Sequence, residues 1–331
     1  MVARDRTEKP TGIPMHSLAH GWSRRFRAAG LLAAALVVLA ILPARAGVLE
    51  VVPVADNVYA LVGPLGQRSA DNLGNNATFG VVVTDAGVVL IDSGGSARGA
   101  AMIAETLQTI TDKPVVTVIN TGGQDHRWLG NAYFKSKGAE IIAADAAVRD
   151  QTARADEQFF MLTNLIGEEA LAGTEAVPAE RTFESALELE VGGTKLVLKM
   201  AGPAHTPGDT IVWLPKERIA FAGDVVFLDR MLGVLPYSNS AGWIAAFKAL
   251  EVLDPAIVVP GHGRPAPLSA GIAQTFDVLV NLRSEVGAVL ERGGDMTEAA
   301  DIDQSAFAAL PNFETLSRRN AQAVFMEMEF E

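Results

Sequence analysis

The sequence predicts an α/β fold of αββα type, a four-layer sandwich in which two β-sheets pack face to face and helices cover both outer sides. Two observations carry this. Short runs rich in Val and Ile, bounded by Gly, Asn or Asp, recur in two separate series, as buried strands between turns do. Each series is interleaved with segments whose apolar residues return at helical spacing. Sheets with helices in both halves bury their free faces against one another.

Taken in order, residues 1–46 stand apart. Arg24, Arg25 and Arg27 precede an apolar run, 31–42, about as long as the apolar core of an export signal and too short for a comfortable membrane span. Ala44-Arg45-Ala46 then puts small residues at both positions that a signal peptidase reads. The segment predicts a cleavable signal peptide and a periplasmic or secreted protein. Membrane contact is then limited to export or to an uncleaved signal. Ser23-Arg24-Arg25-Phe26 also resembles a twin-arginine signal, and Met15 offers an alternative start.

Residues 47–265 hold the predicted sandwich. Strands are expected at 58–62, 78–84, 88–91 and 115–119, with a helix over 97–110 between the third and fourth. A short helix at 128–137 and a strand at 140–143 follow. Residues 144–173 are helix-like and free of proline, suited to a cap beside a site. The second strand series is 187–191, 194–200, 210–214 and 218–222, and Gly192-Gly193 marks a tight hairpin. An amphipathic helix at 241–253 and a buried strand at 256–259 complete it. Residues 266–331 read as a C-terminal helical extension, with helices over 270–292 and 314–328.

The chain has 331 residues and a formal charge of −12. Residues 1–46 hold seven basic and two acidic residues, so the remainder carries 20 Lys+Arg against 37 Asp+Glu. That balance argues against nucleic acid as a partner, because phosphate binding needs a basic surface. There is no cysteine. Any metal must therefore be held by His and carboxylates, and export brings no disulfides.

Beyond residue 46 only three histidines remain, His126, His205 and His262. Each lies beside Gly, Pro or Asp in a short turn-like segment: GGQDHRWLGN, AGPAHTPGDT and VVPGHGR. Asp224 stands in a fourth segment, AFAGDVV, between the last two. Zinc takes imidazole nitrogen and carboxylate oxygen, so these residues point to a metal site at strand ends and loops. The neighbouring Gly208, Gly223, Gly261 and Gly263 permit sharp turns there.

Asn57-Val58-Tyr59, VVLIDSGG (88–95), AHTPGDT, FAGD and PGHG, in this order, resemble the metallo-β-lactamase fold superfamily over residues 57 to about 265. The resemblance implies an αββα sandwich of the metallo-β-lactamase type. It implies that His205 binds a first metal, that His262 binds a second and that Asp224 bridges the two. Asp92 would orient a ligand, or would simply end its strand as a turn carboxylate. Members of the superfamily carry His-x-His-x-Asp-His where this chain has Thr121-Gly122-Gly123-Gln124-Asp125-His126-Arg127. Aligned on Asp125-His126, the loop keeps an Asp-His pair but has Thr121 and Gly123 at the other two histidines. Aligned on the flanking Asn-Thr and Gly-Asn, it has Gly122 and Gln124 there, His126 at the Asp position and Arg127 at the last His. Neither register keeps the His-x-His pair. Gln124 has an amide oxygen to offer a metal; Gly and Thr have no imidazole.

The expectation is therefore an exported metal-dependent hydrolase with one zinc, or another divalent metal, drawn from Asp125, His126, His205, Asp224 and His262. Asp125 is the candidate base for the attacking water. Small esters, thioesters, lactones or amides are the expected substrates, with β-lactam antibiotics as an alternative. The missing His-x-His motivates a second reading, a binding or scaffold protein that has lost the chemistry, in which Arg127 supplies fixed positive charge. Iron-dependent oxidation is a third. Asn72, Asn75 and Asn76 are read chiefly as turn formers, and Trp128 as packing at the start of its helix.

Overall fold

Seven strands form the first sheet, in chain order: β1 (Glu50–Ala55), β2 (Val58–Val62), β3 (Thr78–Val83), β4 (Val88–Ile91), β5 (Val115–Asn120), β6 (Glu140–Ala144) and β7 (Arg181–Phe183). Five form the second: β8 (Ala186–Val191), β9 (Thr194–Met200), β10 (Thr210–Leu214), β11 (Ile219–Phe227) and β12 (Ile257–His262), in the order β12-β11-β10-β9-β8. The structure is a computed structural model describing residues 49–331. The expected signal at 1–46 lies outside the described residues. Among those described, no helix is long and apolar enough to cross a membrane.

The helices are α1 (Ala97–Leu107), α2 (Asp125–Trp128), α3 (Asn131–Lys135), α4 (Asp145–Ile166), α5 (Glu168–Leu171), α6 (Ser240–Glu251), α7 (Leu268–Gly271), α8 (Asp277–Glu291), α9 (Met296–Ala300) and α10 (Phe313–Met328). Parallel pairing occurs where helices make the crossover: β4–β5 through α1, β5–β6 through α2 and α3, β6–β7 through α4 and α5, and β11–β12 through α6. Covered on both faces, β4, β10 and β11 are buried along their whole lengths, so β4 reads as an unbroken apolar run and β10 and β11 as mostly apolar ones, broken in β11 at Gly223-Asp224. The edge strand β8, ALELEV, alternates instead and points its glutamates outward. Gly192 and Gly193 both have positive φ (51° and 76°), as a tight hairpin turn requires.

Between the sheets, Phe79, Val81, Leu90 and Ile119 share one core with Leu196, Leu198, Val212 and Phe221. Gly80 has no side chain because the Phe221 ring lies against the backbone there. The outer face of the second sheet packs on α6, α8 and α10: Ala220, Ala222 and Val226 meet Trp243, Phe247, Leu279, Leu282, Val324 and Phe325. The C-terminal helices thus share a hydrophobic core with β11.

Most element boundaries differ from the sequence expectation by a few residues. The larger difference is at 128–137, where two short helices replace one and the first begins at Asp125. Trp128 is buried against Leu162 and Ile166 of α4, and its Nε1 donates to Gln158 Oε1 at 2.9 Å. Strand β7 and helix α9 are short, and Pro53 interrupts the apolar run of β1, so none of the three carried a pattern strong enough to predict.

Candidate metal centre

Three residues from three elements converge. His126 lies in the first turn of α2, Asp224 in β11 and His262 at the end of β12; all are buried, and one ligand atom of each lies within 4.8 Å of the others. His126 Nε2 is 3.5 Å from Asp224 Oδ2, and His262 Nε2 is 3.3 Å from Asp224 Oδ1. The two rings meet edge to face with centroids 5.1 Å apart. Local backbone explains the aim. Gly223, at φ 50°, sits in an irregularity of the β11–β12 register that turns Asp224 out of the ladder. Gly261 passes so close that an added Cβ would stand 2.6 Å from both Asp224 Oδ1 and Arg127 Nη2.

The donor chemistry fits a metal. His262 Nδ1 lies 2.8 Å from the Asn76 carbonyl oxygen, which can only accept, so Nδ1 carries the proton and Nε2 presents its lone pair to Asp224. Burial holds the proton affinity of His262 well below the usual imidazole range, despite the opposing attraction of Asp224. Burial also pushes the Asp224 carboxyl upward, but the Arg127 charge outweighs it and keeps Asp224 ionised. A bare nitrogen facing a carboxylate is an arrangement that a cation held between them would satisfy. His126 Nε2 is buried and has no hydrogen-bond partner. Two imidazoles and a carboxylate form a donor set that zinc or another divalent metal accepts.

Arg127 fills the other side of Asp224. Its Nε and Nη2 donate to Asp224 Oδ2 and Oδ1 at 3.1 and 2.6 Å, and its Nη1 donates to Asp92 Oδ2 at 2.9 Å. The remaining two donors reach the carbonyls of Thr78 (3.2 Å) and Gly261 (2.9 Å). Every N–H of this fully buried guanidinium is used. Asp92 therefore does more than end its strand: it also accepts from Thr121 N at 2.7 Å and from Thr121 Oγ1, and orients Arg127.

Asp125 and His205, expected as ligands, stand outside the three-residue cluster. Asp125 turns to Arg68, whose Nε and Nη2 lie 2.8 and 2.7 Å from its Oδ1. The same oxygen is 3.0 Å from His126 Nδ1, which also has Arg68 Nη2 at 2.9 Å. Burial would raise the Asp125 carboxyl, but Arg68 and His126 hold it far below the usual range. It is thus a weak base, and its geometry is that of a group positioning His126. His205 packs on Trp243 and Phe227, with centroids 5.0 and 5.4 Å away. Burial lowers it to about 4, so it is neutral, and its Nδ1 has no partner.

The loop adopts the register of its flanks: Asn120 and Asn131 bond each other through both amides, and His126, not Asp125, faces His262. Of the two positions that lack histidine in this register, Gly122 is packed shut and Gln124 lines the cavity with its Oε1 unpartnered. Gln151 and Gln158 of α4 donate to the Gly122 and Gly123 carbonyls at 2.9 and 2.8 Å. A Cβ on Gly122 would meet Asp209 Oδ1 at 2.7 Å, and one on Gly123 would overlap Asp150. With no imidazole at Gly122 or Gln124, the first metal position keeps His205 as its one histidine, whereas His126, Asp224 and His262 together fit a metal.

A sequence profile described as the Metallo-beta-lactamase superfamily matches residues 74–262, which contain the whole cluster. The chain belongs to this superfamily. Among curated relatives, the 2,4-dinitroanisole O-demethylase subunit alpha of Nocardioides sp. (strain JS1661) is 29% identical over 54% of this chain and 50% of its own length. The chain thus matches only half of that relative. Metallo-beta-lactamase IND-1 of Chryseobacterium indologenes is 24% identical over 63% of this chain and 80% of the relative. Among solved structures, a metallo-beta-lactamase from Pontibacter korlensis superposes with TM-score 0.56 at 21% identity, covering 70% of this chain and 99% of the other. The sec-alkylsulfatase Pisa1 from Pseudomonas sp. superposes with TM-score 0.65 at 17% identity, covering 84% and 50%. At these identities the structures establish the fold that this superfamily member shares with them.

The cluster opens on a cavity of about 510 Å³ lined by His126, His205, His262, Asn76, Gln124, Arg68, Arg230 and the apolar Met161, Leu165 and Leu235. Besides His126 Nε2 and His205 Nδ1, the buried Asn76 Oδ1 and Gln124 Oε1 lack partners. Asn72 and Asn75 instead spend their amides on the backbone of their own turn and of α1.

Sequence reasoning passed over Arg68, Asp209 and Arg230. Arg230 had a signal, standing beside Asp229 as one of two charges inside the otherwise apolar stretch 225–235; Arg68 and Asp209 sat in polar turns like many others. Burial pushes the Asp209 carboxyl up to about 8, against hydrogen bonds from Thr206 N (2.7 Å) and Oγ1 (2.5 Å) that favour its ionised form. A carboxyl raised in the folded state favours folding below its ordinary pKa of 3.8 and loses that contribution as pH rises towards about 8. Asp209→Asn is expected to remove a slope of up to about 1.4 kcal/mol per pH unit across that window. Urea midpoints of both proteins at the two ends of the window read it; equal slopes would refute the assignment.

Proposed function

We propose that this superfamily member is a hydrolase with a one-metal site formed by His126, Asp224 and His262. The observation that carries the reading is the bare nitrogen of His262 facing an ionised carboxylate, with the partnerless Nε2 of His126 beside it at the cavity floor. A bound zinc or other divalent metal would lower the pKa of a coordinated water and polarise the electrophile. The chain's own residues supply the rest. The Asn76 carbonyl fixes the tautomer of His262, and Asp125 with Arg68 orients the ring of His126. Neutral His205 offers Nδ1 as an acceptor for a water or leaving-group proton. Small esters, thioesters, lactones or amides are the substrates we propose, with β-lactams as the alternative. We further propose export by the segment 1–46, which places the reaction in the periplasm or outside the cell.

Protein purified without a histidine tag is expected to contain about one equivalent of divalent metal, and His262→Ala none. Elemental analysis reads this, and hydrolysis of an ester, thioester, lactone and lactam panel reads the activity. Protein that stays metal-free after reconstitution and inert on the panel would sink the reading. One observation favours the other reading, a ligand-binding protein on this fold: Arg127 already engages both oxygens of Asp224. Metal-free, inert protein that still binds a small molecule in the cavity would select it.

A further inference from the structure

Three acceptors in the cavity wall lack a donor. Asn76 and His205, 3% and 4% exposed, line the cavity together with Gln124. Asn76 Oδ1, Gln124 Oε1 and His205 Nδ1 are buried, and none has a hydrogen-bond partner among the described residues. Buried polar groups are ordinarily paired, because an unmet one costs stability. Three in one cavity are suited to a donor from outside the chain.

Each of the three accepts for its own reason. The Asn76 amide is fixed in orientation, since its Nδ2 donates to the Gly66 carbonyl at 3.0 Å and leaves Oδ1 as the open atom. Its backbone carbonyl takes the proton of His262 Nδ1 at 2.8 Å, which sets Asn76 beside the metal cluster. His205 is neutral, and a neutral imidazole keeps one bare nitrogen in either tautomer. Gln124 stands where the superfamily carries a histidine of the first metal. Gly123 N donates to Thr206 Oγ1 at 3.2 Å, so Gln124 and His205 each adjoin one end of a bond that ties their segments together. This chain thus brings an uncharged amide and one imidazole to that position. The lining narrows the donor further. Arg68, Arg154, Arg230 and Arg319 stand against Asp125 and Glu157, so an ammonium or guanidinium ligand would meet like charge. An uncharged N–H suits the three acceptors. A primary or secondary amide carries one next to its carbonyl; an ester, a thioester, a lactone or an amide with a fully substituted nitrogen has none.

We propose that Gln124 Oε1, with His205 and Asn76, receives an N–H of the substrate, so that the molecule turned over in this cavity is an amide with a hydrogen on its nitrogen. Hydrolysis of such an amide adds the water oxygen to the carbonyl carbon, breaks the C–N bond and moves a water proton to the leaving nitrogen, giving a carboxylic acid and an amine. A ligand without the N–H would enter at the expense of acceptors left unmet, which is how a hydrogen-bonding site rejects an analogue lacking the donor. The inference rests on the reading of this cavity as the reaction chamber, but binding an N–H donor requires no turnover.

The test titrates N-methylbenzamide, N,N-dimethylbenzamide and methyl benzoate into the full-length protein with and without EDTA. All three are uncharged and share one ring, and only the first has an N–H. Ligand-observed NMR reads binding to wild type and Gln124→Met, which keeps the shape of the side chain and removes its amide, with thermal unfolding as the folding control. Wild type is expected to bind N-methylbenzamide roughly tenfold or more tightly than the other two. Folded Gln124→Met should lose most of that preference. Wild type that binds none of the three, or all alike, overturns the inference, as does folded Gln124→Met with the preference intact. If Gln124→Met does not fold, the wild-type ratio decides. Two equivalents of metal in the wild type, one of them lost in Gln124→Met, would assign these atoms to an ion and also overturn it. Protein that prefers the N–H amide but hydrolyses nothing keeps this inference and loses the hydrolase. A hydrolase whose KM for N-methylamides and methyl esters is alike, and unmoved by Gln124→Met, does the reverse.

Discussion

Arg127→Leu is expected to leave the protein largely unfolded under conditions where the wild type is stable. The guanidinium bridges Asp92 after β4, Asp224 in β11 and the carbonyls of Thr78 and Gly261, and so ties both sheets together at the site. Leucine would leave two buried carboxylates facing one another without a counter-charge. Removing one partner of a buried pair costs about 3–5 kcal/mol, against a total stability of roughly 5–15 kcal/mol for a domain. Arg127→Lys should recover only part of the loss, since an ammonium cannot span both carboxylates and both carbonyls. Urea denaturation followed by circular dichroism measures both. A leucine variant within about 1 kcal/mol of wild type, no more than an ordinary surface change costs, would show that Arg127 is not the keystone.

Asp224→Asn should cost the protein its metal and its hydrolysis together. An amide gives no negative charge to a cation and turns an N–H towards either Arg127 or the histidines. Losing an outer hydrogen bond typically lowers metal affinity about 10- to 100-fold, and losing a ligand outright should exceed that. Some stability is expected to go as well, because Arg127 keeps only Asp92 as a charged partner, but Asn still accepts one of its bonds and the fold should persist. Metal titration monitored by competition with a chelating dye, together with a thermal melt, separates the two effects. An Asp224→Asn protein that retains stoichiometric metal would remove Asp224 from the site.

The architecture was legible because it depends on pattern. The apolar runs at 88–91 and 210–214, the glycine pair at 192–193 and the amphipathic segment at 241–253 each encode a local preference that tertiary packing reinforced. Two members of the metal cluster, Asp224 and His262, were legible from residue type and turn context. The third, His126, was named too, but the choice between it and Asp125 stayed open, since the register of that pair depends on contacts made elsewhere, through Asn120, Asn131 and the α4 glutamines.

What the sequence determined by itself was the kind of molecule: an αββα sandwich, acidic, without cysteine, with its few histidines at strand ends and no His-x-His pair. The tertiary structure decided how many metal positions survive. Gly122 is closed over by Asp209 and Gln124 brings no imidazole to the cavity, whereas His126, Asp224 and His262 come together around one point. The physical reason is that ligand type is a property of single residues, while coordination depends on distances between segments nearly a hundred residues apart, set by how two sheets and a helix pack.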